Sequence, residues 1–182
     1  MIGLKIYNSM LPSFLDFYQN KQLHVSGNFY LQTSCQAYTY MKKHINIAEL
    51  FPASIFYWII HAHDIDELIL FADIWEKDSA TFIHGVILHS GIFIQEGQQI
   101  FQSLILKLLQ IGVKIYIENE ESDDSIKIER LLYSLENVKF CYDIAHDLLF
   151  GTNITQSPYI MSRIELIHLH GIKNAIIFRT IN

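Results

Sequence analysis

Histidine and carboxylate side chains recur at the ends of the short apolar runs of this sequence. A lone histidine in such a place usually makes a hydrogen bond in a loop, but here residues of this kind follow five separate runs. Imidazole and carboxylate groups together suit zinc, manganese or iron. We therefore predict one shared metal site. Its candidate ligands are His61, His89, Glu118, Asp143 and His168, with His146 as a further ligand.

Some of these residues also have an ordinary structural role open to them. Asp143 could cap the helix that follows it, and Glu118 could belong to the acidic run that ends at Asp124. Two further histidines, His63 and His170, lie two residues beyond a candidate ligand and so share its strand face. They are alternate metal ligands, or they orient the ligands without contacting the metal themselves.

The apolar runs have the length and composition of β-strands buried on both faces. The clearest covers residues 55–60, which are too few for a buried helix and rich in β-branched and aromatic side chains. Continuous apolarity is typical of parallel strands covered by helices. The other predicted strands are residues 2–7, 23–30, 82–88, 113–117, 138–142 and 164–169.

Amphipathic stretches between the runs predict helices at residues 34–50, 64–77, 96–111 and 125–135. The helix at 64–77 carries acids in its first turn, where the helix dipole favours them, and the helix at 96–111 ends before Gly112. The predicted inward faces are Ile65, Leu68, Ile69, Ala72 and Trp75 in one helix, and Ile100, Phe101, Leu104, Leu108 and Ile111 in the other.

Strand and helix alternate at a spacing of about thirty residues, which predicts an α/β fold of the (β/α)8 TIM-barrel type. The alternative is a doubly wound open sheet, but no glycine-rich phosphate-binding motif follows any predicted strand. Active sites of β/α barrels lie at the carboxyl ends of the strands. The predicted ligands should therefore converge at one edge of a parallel sheet.

The composition indicates one globular domain over residues 1–182, with 51% hydrophobic and 18% charged residues. A net charge of −6 disfavours a nucleic-acid partner, because such proteins usually carry a basic face. Two cysteines outside any C-x-x-C motif do not indicate secretion. The sequence shows no signal peptide, and its apolar runs are far shorter than the roughly 20 residues of a membrane span. We predict a cytoplasmic protein.

The order of the motifs resembles the xylose isomerase-like barrel superfamily (AP endonuclease family 2). The endonuclease IV type is the closer pattern within it, and the resemblance covers roughly residues 55–173. The segment around His168 also resembles cobamide-remodelling phosphodiesterases. The matching segments are His89-Ser-Gly91, Glu118-Asn119, Asp143-Ile-Ala-His146 and Ile-His168-Leu-His170-Gly171.

The resemblance implies two divalent ions with Glu118 between them. In three-metal members of the superfamily a third ion is also present. The residues assigned by this resemblance are His61, His89 and Glu118 for the first ion, Glu118, Asp143 and His168 for the second, His146 for the third, and Glu118 with His170 as catalytic residues.

The chain departs from the family pattern after Gly171. Members of the family continue through another helix and strand with late acidic or histidine ligands, which residues 175–182 do not contain. A parallel crossover needs about a dozen residues, so residues 175–181 should continue the preceding strand, turn back antiparallel or cover an apolar edge. We expect a barrel that is short or incomplete at its C-terminus, with an uncovered edge that favours a homodimer.

By this resemblance the chain is an enzyme, a metal-dependent phosphodiesterase. The substrate class is a small nucleotide-like or corrinoid phosphodiester, as in cobamide remodelling, since the acidic balance disfavours intact DNA. One alternative is an isomerase or epimerase of a small sugar or sugar phosphate in the same superfamily. The other is an inactive, truncated barrel.

Overall fold

The computed structural model describes residues 2–6, 27–44, 54–78, 83–95, 98–120 and 123–168. The chain forms two compact units, Met1–Val86 and Ile87–Asn182. Strands and helices alternate along both, which confirms the predicted mixed α/β class. The assignment of residues 1–182 to one domain stays a prediction.

The first unit is built on three parallel strands paired in sequence order, β1 with β2 and β2 with β3. Strand β3 is the longest, because its continuous run of apolar residues suits a strand buried on both faces. In the core of this unit, Tyr38 and Trp58 meet edge to face with their ring centroids 5.2 Å apart. The elements are β1 (Ile2–Ile6), β2 (Gly27–Thr33), α1 (Cys35–His44), β3 (Ser54–Ala62) and α2 (Ile65–Asp78).

Strand β2 ends three residues later than the sequence predicts. Residues 31–33 extend the strand, although Gln32 and Thr33 interrupt the apolar pattern on which the prediction rested. Both polar side chains are buried, and both residues pair with β3. Residues 23–26 of the predicted strand lie outside the described residues.

Strand β4 (Ile83–His89) contains the boundary between the units, and the remaining elements belong to the second unit. Strands β5, β6 and β7 pair in parallel and in sequence order. Both faces of β5 and β6 are buried, as the predicted strand type requires. The further elements are α3 (Ile92–Gln95), α4 (Gln98–Gln110), β5 (Lys114–Glu118), α5 (Ser125–Ser134), β6 (Lys139–Asp143), α6 (Ile144–Phe150), α7 (Pro158–Arg163) and β7 (Ile164–His168).

The described residues contain seven strands, one fewer than a complete (β/α)8 barrel. Residues 169–182 lie outside them. The predicted catalytic residue His170 and the tail at 175–181 are therefore not described. Among the described residues, no helix has both the length and the apolar character needed to cross a bilayer.

Two short α-helices, with a 3-10 helix between them at Ile154–Gln156, connect β6 to β7, whereas the other connections of the second unit contain a longer helix. Helix α6 ends at Gly151, whose left-handed φ of 65° is a conformation that glycine adopts without strain. Ser157 caps the N-terminus of α7, where its hydroxyl accepts a hydrogen bond from the Ile160 N–H, and Pro158 occupies the first helical position. These local signals explain why no single long helix forms here.

The buried helix faces differ in part from the predicted ones. In α2 the buried residues are Leu68, Phe71 and Ile74, whereas Ile69 is 49% exposed. This helix carries apolar side chains on most of its circumference, so its periodicity does not define a single inward face. Among the described side chains of α4, Phe101, Ile105 and Leu108 are buried and Leu104 is half-buried. Ile111, just after the helix, is exposed, and the side chain of Ile100 is not described.

Both cysteine thiols are buried and should be unreactive in the folded protein. Burial, with the nearby charge of Glu67 adding to it, raises the pKa of Cys35 to about 12, and Cys141 is fully inaccessible. At pH 8 only about one Cys35 in ten thousand is then a thiolate, which is the reactive form. We expect Ellman's reagent to detect no thiol in the native protein and two in guanidinium chloride. A stoichiometric reaction of the native protein would contradict this burial.

Candidate metal centre

Three strands of the second unit end in a metal-binding residue type. Glu118 is the last residue of β5, Asp143 of β6 and His168 of β7. Because these strands are parallel, their carboxyl ends lie at the same edge of the sheet. Asp143 and His168 are direct partners in the strand register. The edge therefore collects two carboxylates and an imidazole from residues 50 positions apart in the sequence.

The end of β4 joins this edge. The backbone N–H of Ser90 donates a hydrogen bond of 3.1 Å to the carbonyl oxygen of Glu118, the last residue of β5. This bond places His89 beside the cluster, with its Nε2 3.8 Å from Glu118 Oε2. The His89 side chain remains 19% exposed, whereas Glu118 is 1% exposed. The four strand-end residues therefore range from a buried carboxylate to a partly accessible imidazole.

Asn119 clamps the end of β5 to the end of β6. Its side-chain amide donates to the Asp143 carbonyl at 3.0 Å, and its side-chain oxygen accepts from the Asp143 N–H at 2.8 Å. Both residues are completely buried. These side-chain hydrogen bonds take the place of ladder hydrogen bonds where the backbone leaves the sheet, and they hold Asp143 beside the end of β5.

Glu118 lies at the centre of the cluster. Its Oε1 is 2.7 Å from His168 Nδ1, and the same nitrogen is 3.8 Å from Asp143 Oδ2. An ionised carboxylate only accepts hydrogen bonds, so Nδ1 of His168 carries the proton and the lone pair of the neutral ring is on Nε2. A divalent ion held between the two carboxylates would take the place of this proton, since Nδ1 is the nitrogen that faces them.

Asp143 caps a helix with one oxygen and faces the cluster with the other. Its Oδ1 accepts a hydrogen bond of 2.9 Å from the His146 N–H and so caps helix α6. Its Oδ2 lies at the cluster, 4.0 Å from His146 Nδ1. The His146 Nδ1 in turn donates to the Asn119 carbonyl at 2.7 Å, which leaves the lone pair of the neutral ring on Nε2.

The electrostatics of the cluster favour a cation. Burial raises the pKa of Asp143, and the neighbouring Glu118 carboxylate raises it further, since two adjacent buried carboxylates resist being charged together. On the outer side, the hydrogen bond from His89 lowers the pKa of Glu120, which keeps that carboxylate charged. A divalent cation between Glu118 and Asp143 would remove their mutual repulsion.

The donor set fits a divalent transition metal. One ligand atom from each of Glu118, Asp143 and His146 can be chosen so that all lie within 4.8 Å of one another. The same holds for Glu118, Cys141 and His168. Mixed nitrogen and carboxylate ligands, with a thiol nearby, are typical of zinc, iron and manganese sites rather than of calcium sites.

Of the other predicted residues, His61 belongs to the first unit and His170 lies outside the described residues. His61 is in the first unit, near the end of β3, and is 2% exposed. Its Nδ1 is 3.1 Å from the amide nitrogen of Gln32, and its ring is 4.3 Å from that of His63. Its role as a ligand stays a prediction, as does the catalytic role of His170.

Sequence reasoning missed three residues of the cluster. Asn119 and Glu120 follow Glu118 directly. Glu118-Asn119 is one of the segments that carry the resemblance, but only the tertiary contacts show what the side chains of Asn119 and Glu120 do. Cys141 is fully buried and pairs with Glu118 across the strands. Its position two residues before Asp143, on the same strand face, was the available signal.

The chain matches no protein-family model, no curated protein and no solved structure with which it was compared.

Proposed function

We propose that the strand-end cluster of the second unit binds divalent metal ions and hydrolyses a small phosphodiester. The observation that carries this proposal is the buried pair of carboxylates, Glu118 and Asp143, with the His168 imidazole 2.7 and 3.8 Å away. Buried charges in proteins are paired or coordinate metals, because an isolated buried charge is very unfavourable.

The metal ligands in this proposal are Glu118, Asp143 and His168, together with His89 and His146. Zinc, manganese or iron suits them, and the resemblance to the xylose isomerase-like superfamily implies two ions with Glu118 between them. When bound, such ions polarise a phosphoryl group and lower the pKa of a water molecule. His61 and His170 would complete the set that the same resemblance implies.

The protein's own residues would hold this site in a fixed geometry. Asn119 aligns the ends of β5 and β6, and the Asn119 carbonyl fixes which nitrogen of His146 carries the proton. The hydrogen bond between Glu118 and His168 holds the imidazole beside the two carboxylates. Preorganised ligands of this kind do not have to reorganise during the reaction, which is an important source of catalysis in enzymes.

The fold supports the same proposal. Parallel strands that alternate with helices, and a ligand cluster at their carboxyl ends, are the arrangement of a (β/α) barrel active site. We propose that the chain is a short or incomplete barrel of this class, a cytoplasmic enzyme able to form a homodimer. Its net charge of −6 favours a small substrate, nucleotide-like or corrinoid, over intact DNA.

Metal analysis tests the proposal most directly. Protein purified without chelators should contain at least one equivalent of zinc, manganese or iron by inductively coupled plasma mass spectrometry. It should hydrolyse bis-p-nitrophenyl phosphate, lose this activity after treatment with EDTA, and recover it when Mn²⁺ or Zn²⁺ is added. The matched control is the same preparation treated with EDTA and then with Ca²⁺, which these ligands bind poorly.

The other outcomes separate the alternatives. Metal binding without hydrolysis, combined with metal-dependent isomerisation of a sugar, would replace the phosphodiesterase by the isomerase. Protein without bound metal, which also fails to take up added Zn²⁺, would support an inactive barrel and refute the proposal.

A further inference from the structure

We infer that Glu120 is a positioning residue, which holds His89 with the proton on Nδ1 and the lone pair on Nε2, the nitrogen nearer Glu118. Glu120 Oε1 lies 2.9 Å from His89 Nδ1, and His89 Nε2 lies 3.8 Å from Glu118 Oε2. A charged carboxylate accepts hydrogen bonds and does not donate them, so the contact selects one of the two neutral forms of the imidazole. This inference rests on the proposed function, because it assigns His89 Nε2 as a metal ligand.

The second oxygen of Glu120 is also engaged. Glu120 Oε2 accepts a hydrogen bond of 2.7 Å from the backbone N–H of Gly91, two residues after His89. The two oxygens therefore hold the ring of His89 and the backbone of the turn that follows it. If either oxygen moved to another donor, Glu120 would lose its contact with His89 or with the Gly91 N–H.

The close approach of the Glu120 carboxylate to the backbone requires glycine at position 91. A Cβ atom at this position would lie 2.6 Å from Glu120 Oε2, closer than any real Cβ contact. A side chain here would push the carboxylate away from the backbone, and with it the oxygen that faces His89. The glycine of the His-Ser-Gly segment therefore has a steric role toward the residue that orients the histidine.

The buried carboxylate of Asp123 fixes the backbone of Glu120. Asp123 Oδ2 accepts hydrogen bonds from the Glu120 N–H at 2.7 Å and from the Ser90 hydroxyl at 2.5 Å. Its Oδ1 forms an ion pair of 2.6 Å with Lys127. Asp123 thus ties the residue after His89 to the residue that orients His89. The loop after β4 is therefore joined to the loop after β5 by two hydrogen bonds, from Ser90 to Asp123 and from Gly91 to Glu120.

The substitution Glu120→Gln separates this role from a general structural one. Glutamine has the shape of glutamate but offers one accepting oxygen and one donating amide group. If the oxygen keeps the bond from the Gly91 N–H, the amide group faces His89 Nδ1 and can only donate to it. The proton of the neutral imidazole must then move to Nε2, where it blocks metal binding. The same logic explains why an aspartate-to-asparagine change leaves a catalytic histidine in the wrong tautomer in serine proteases.

The test reads the tautomer of His89 in the metal-free protein and then measures its affinity for Zn²⁺. Long-range ¹⁵N–¹H spectra near pH 8.5, about two units above the ordinary imidazole pKa, identify which nitrogen carries the proton. A His89→Gln variant assigns the signal. We expect Nδ1–H in the wild type and Nε2–H in Glu120→Gln, with Zn²⁺ affinity by calorimetry reduced roughly 10- to 100-fold in the variant.

Two further variants make the result decisive. Gly91→Ala keeps the charge of Glu120 and should still lower the Zn²⁺ affinity, because it displaces the carboxylate. Glu165→Gln, which alters a half-exposed carboxylate of β7 paired with Lys139, should change neither the tautomer nor the affinity.

An unchanged tautomer and affinity in Glu120→Gln, in a protein that binds Zn²⁺, would overturn the inference and leave the proposed function standing. A tautomer switch in a protein that binds no Zn²⁺ would support the positioning role and refute the metal centre.

Discussion

Glu118→Gln is expected to abolish metal binding and to slow the hydrolysis of bis-p-nitrophenyl phosphate roughly a thousandfold. A bound metal contributes several kcal/mol to transition-state stabilisation, and each 1.36 kcal/mol is about tenfold in rate. Glu118 is the carboxylate common to the two donor sets that lie wholly within the second unit. The amide keeps the size of the side chain but removes the negative charge that would lie between cations. Metal content and hydrolysis rate are the two quantities to measure.

The control for this substitution is Glu165→Gln. Glu165 is also a strand glutamate, but it is 39% exposed and lies 3.4 Å from Lys139 at the other end of β7. Exposed ion pairs contribute little, so this variant should keep wild-type metal content and rate. Circular dichroism should show that both variants fold. Wild-type hydrolysis by a folded Glu118→Gln protein would show that this residue does not support the reaction.

Leu108→Ala is expected to lower the free energy of unfolding by about 2–5 kcal/mol, the usual effect of truncating a buried leucine. Leu108 lies on α4 and is 1% exposed. The alanine would leave a cavity that close-packed neighbours fill only in part. Domains are stable by only about 5–15 kcal/mol, so a large share of the stability would be lost. Urea titration followed by circular dichroism measures the difference.

Leu106→Ala is the matched control, because it makes the same chemical change two residues away on the same helix. Leu106 is 53% exposed, and leucine and alanine have similar helix propensities. Its effect should stay within about 0.5 kcal/mol, as for most surface substitutions. Equal effects of the two substitutions would mean that the described face of α4 is not the buried one.

Local sequence was sufficient to predict the strands that carry the candidate ligands. A run of apolar residues that ends in a histidine or an acid identifies both the strand and the residue at its end, as at Glu118, Asp143 and His168. Parallel pairing then brings these ends to one edge of the sheet without further information. The predicted cluster of the second unit follows from the direction of the chain alone.

The helix faces show where local information becomes insufficient. Ile69 and Ile111 were predicted to face inward and are exposed, while Phe71 and Ile105 are buried. When apolar residues cover most of a helix, several faces are nearly equal in hydrophobicity. The packing of neighbouring elements then decides which face is buried.

The sequence by itself determined the class of the fold, the ends of its parallel strands and the types of residue found there. These properties depend on the order of apolar and polar residues along a short segment. Only the tertiary structure decided what each candidate ligand contacts. Glu120 and Gly91 are 29 residues apart, and no periodicity relates them. Their contact exists because two loops meet at one sheet edge and because Gly91, in one of these loops, has no Cβ atom. The proton position on His89 depends on that contact, and so on packing rather than on local sequence.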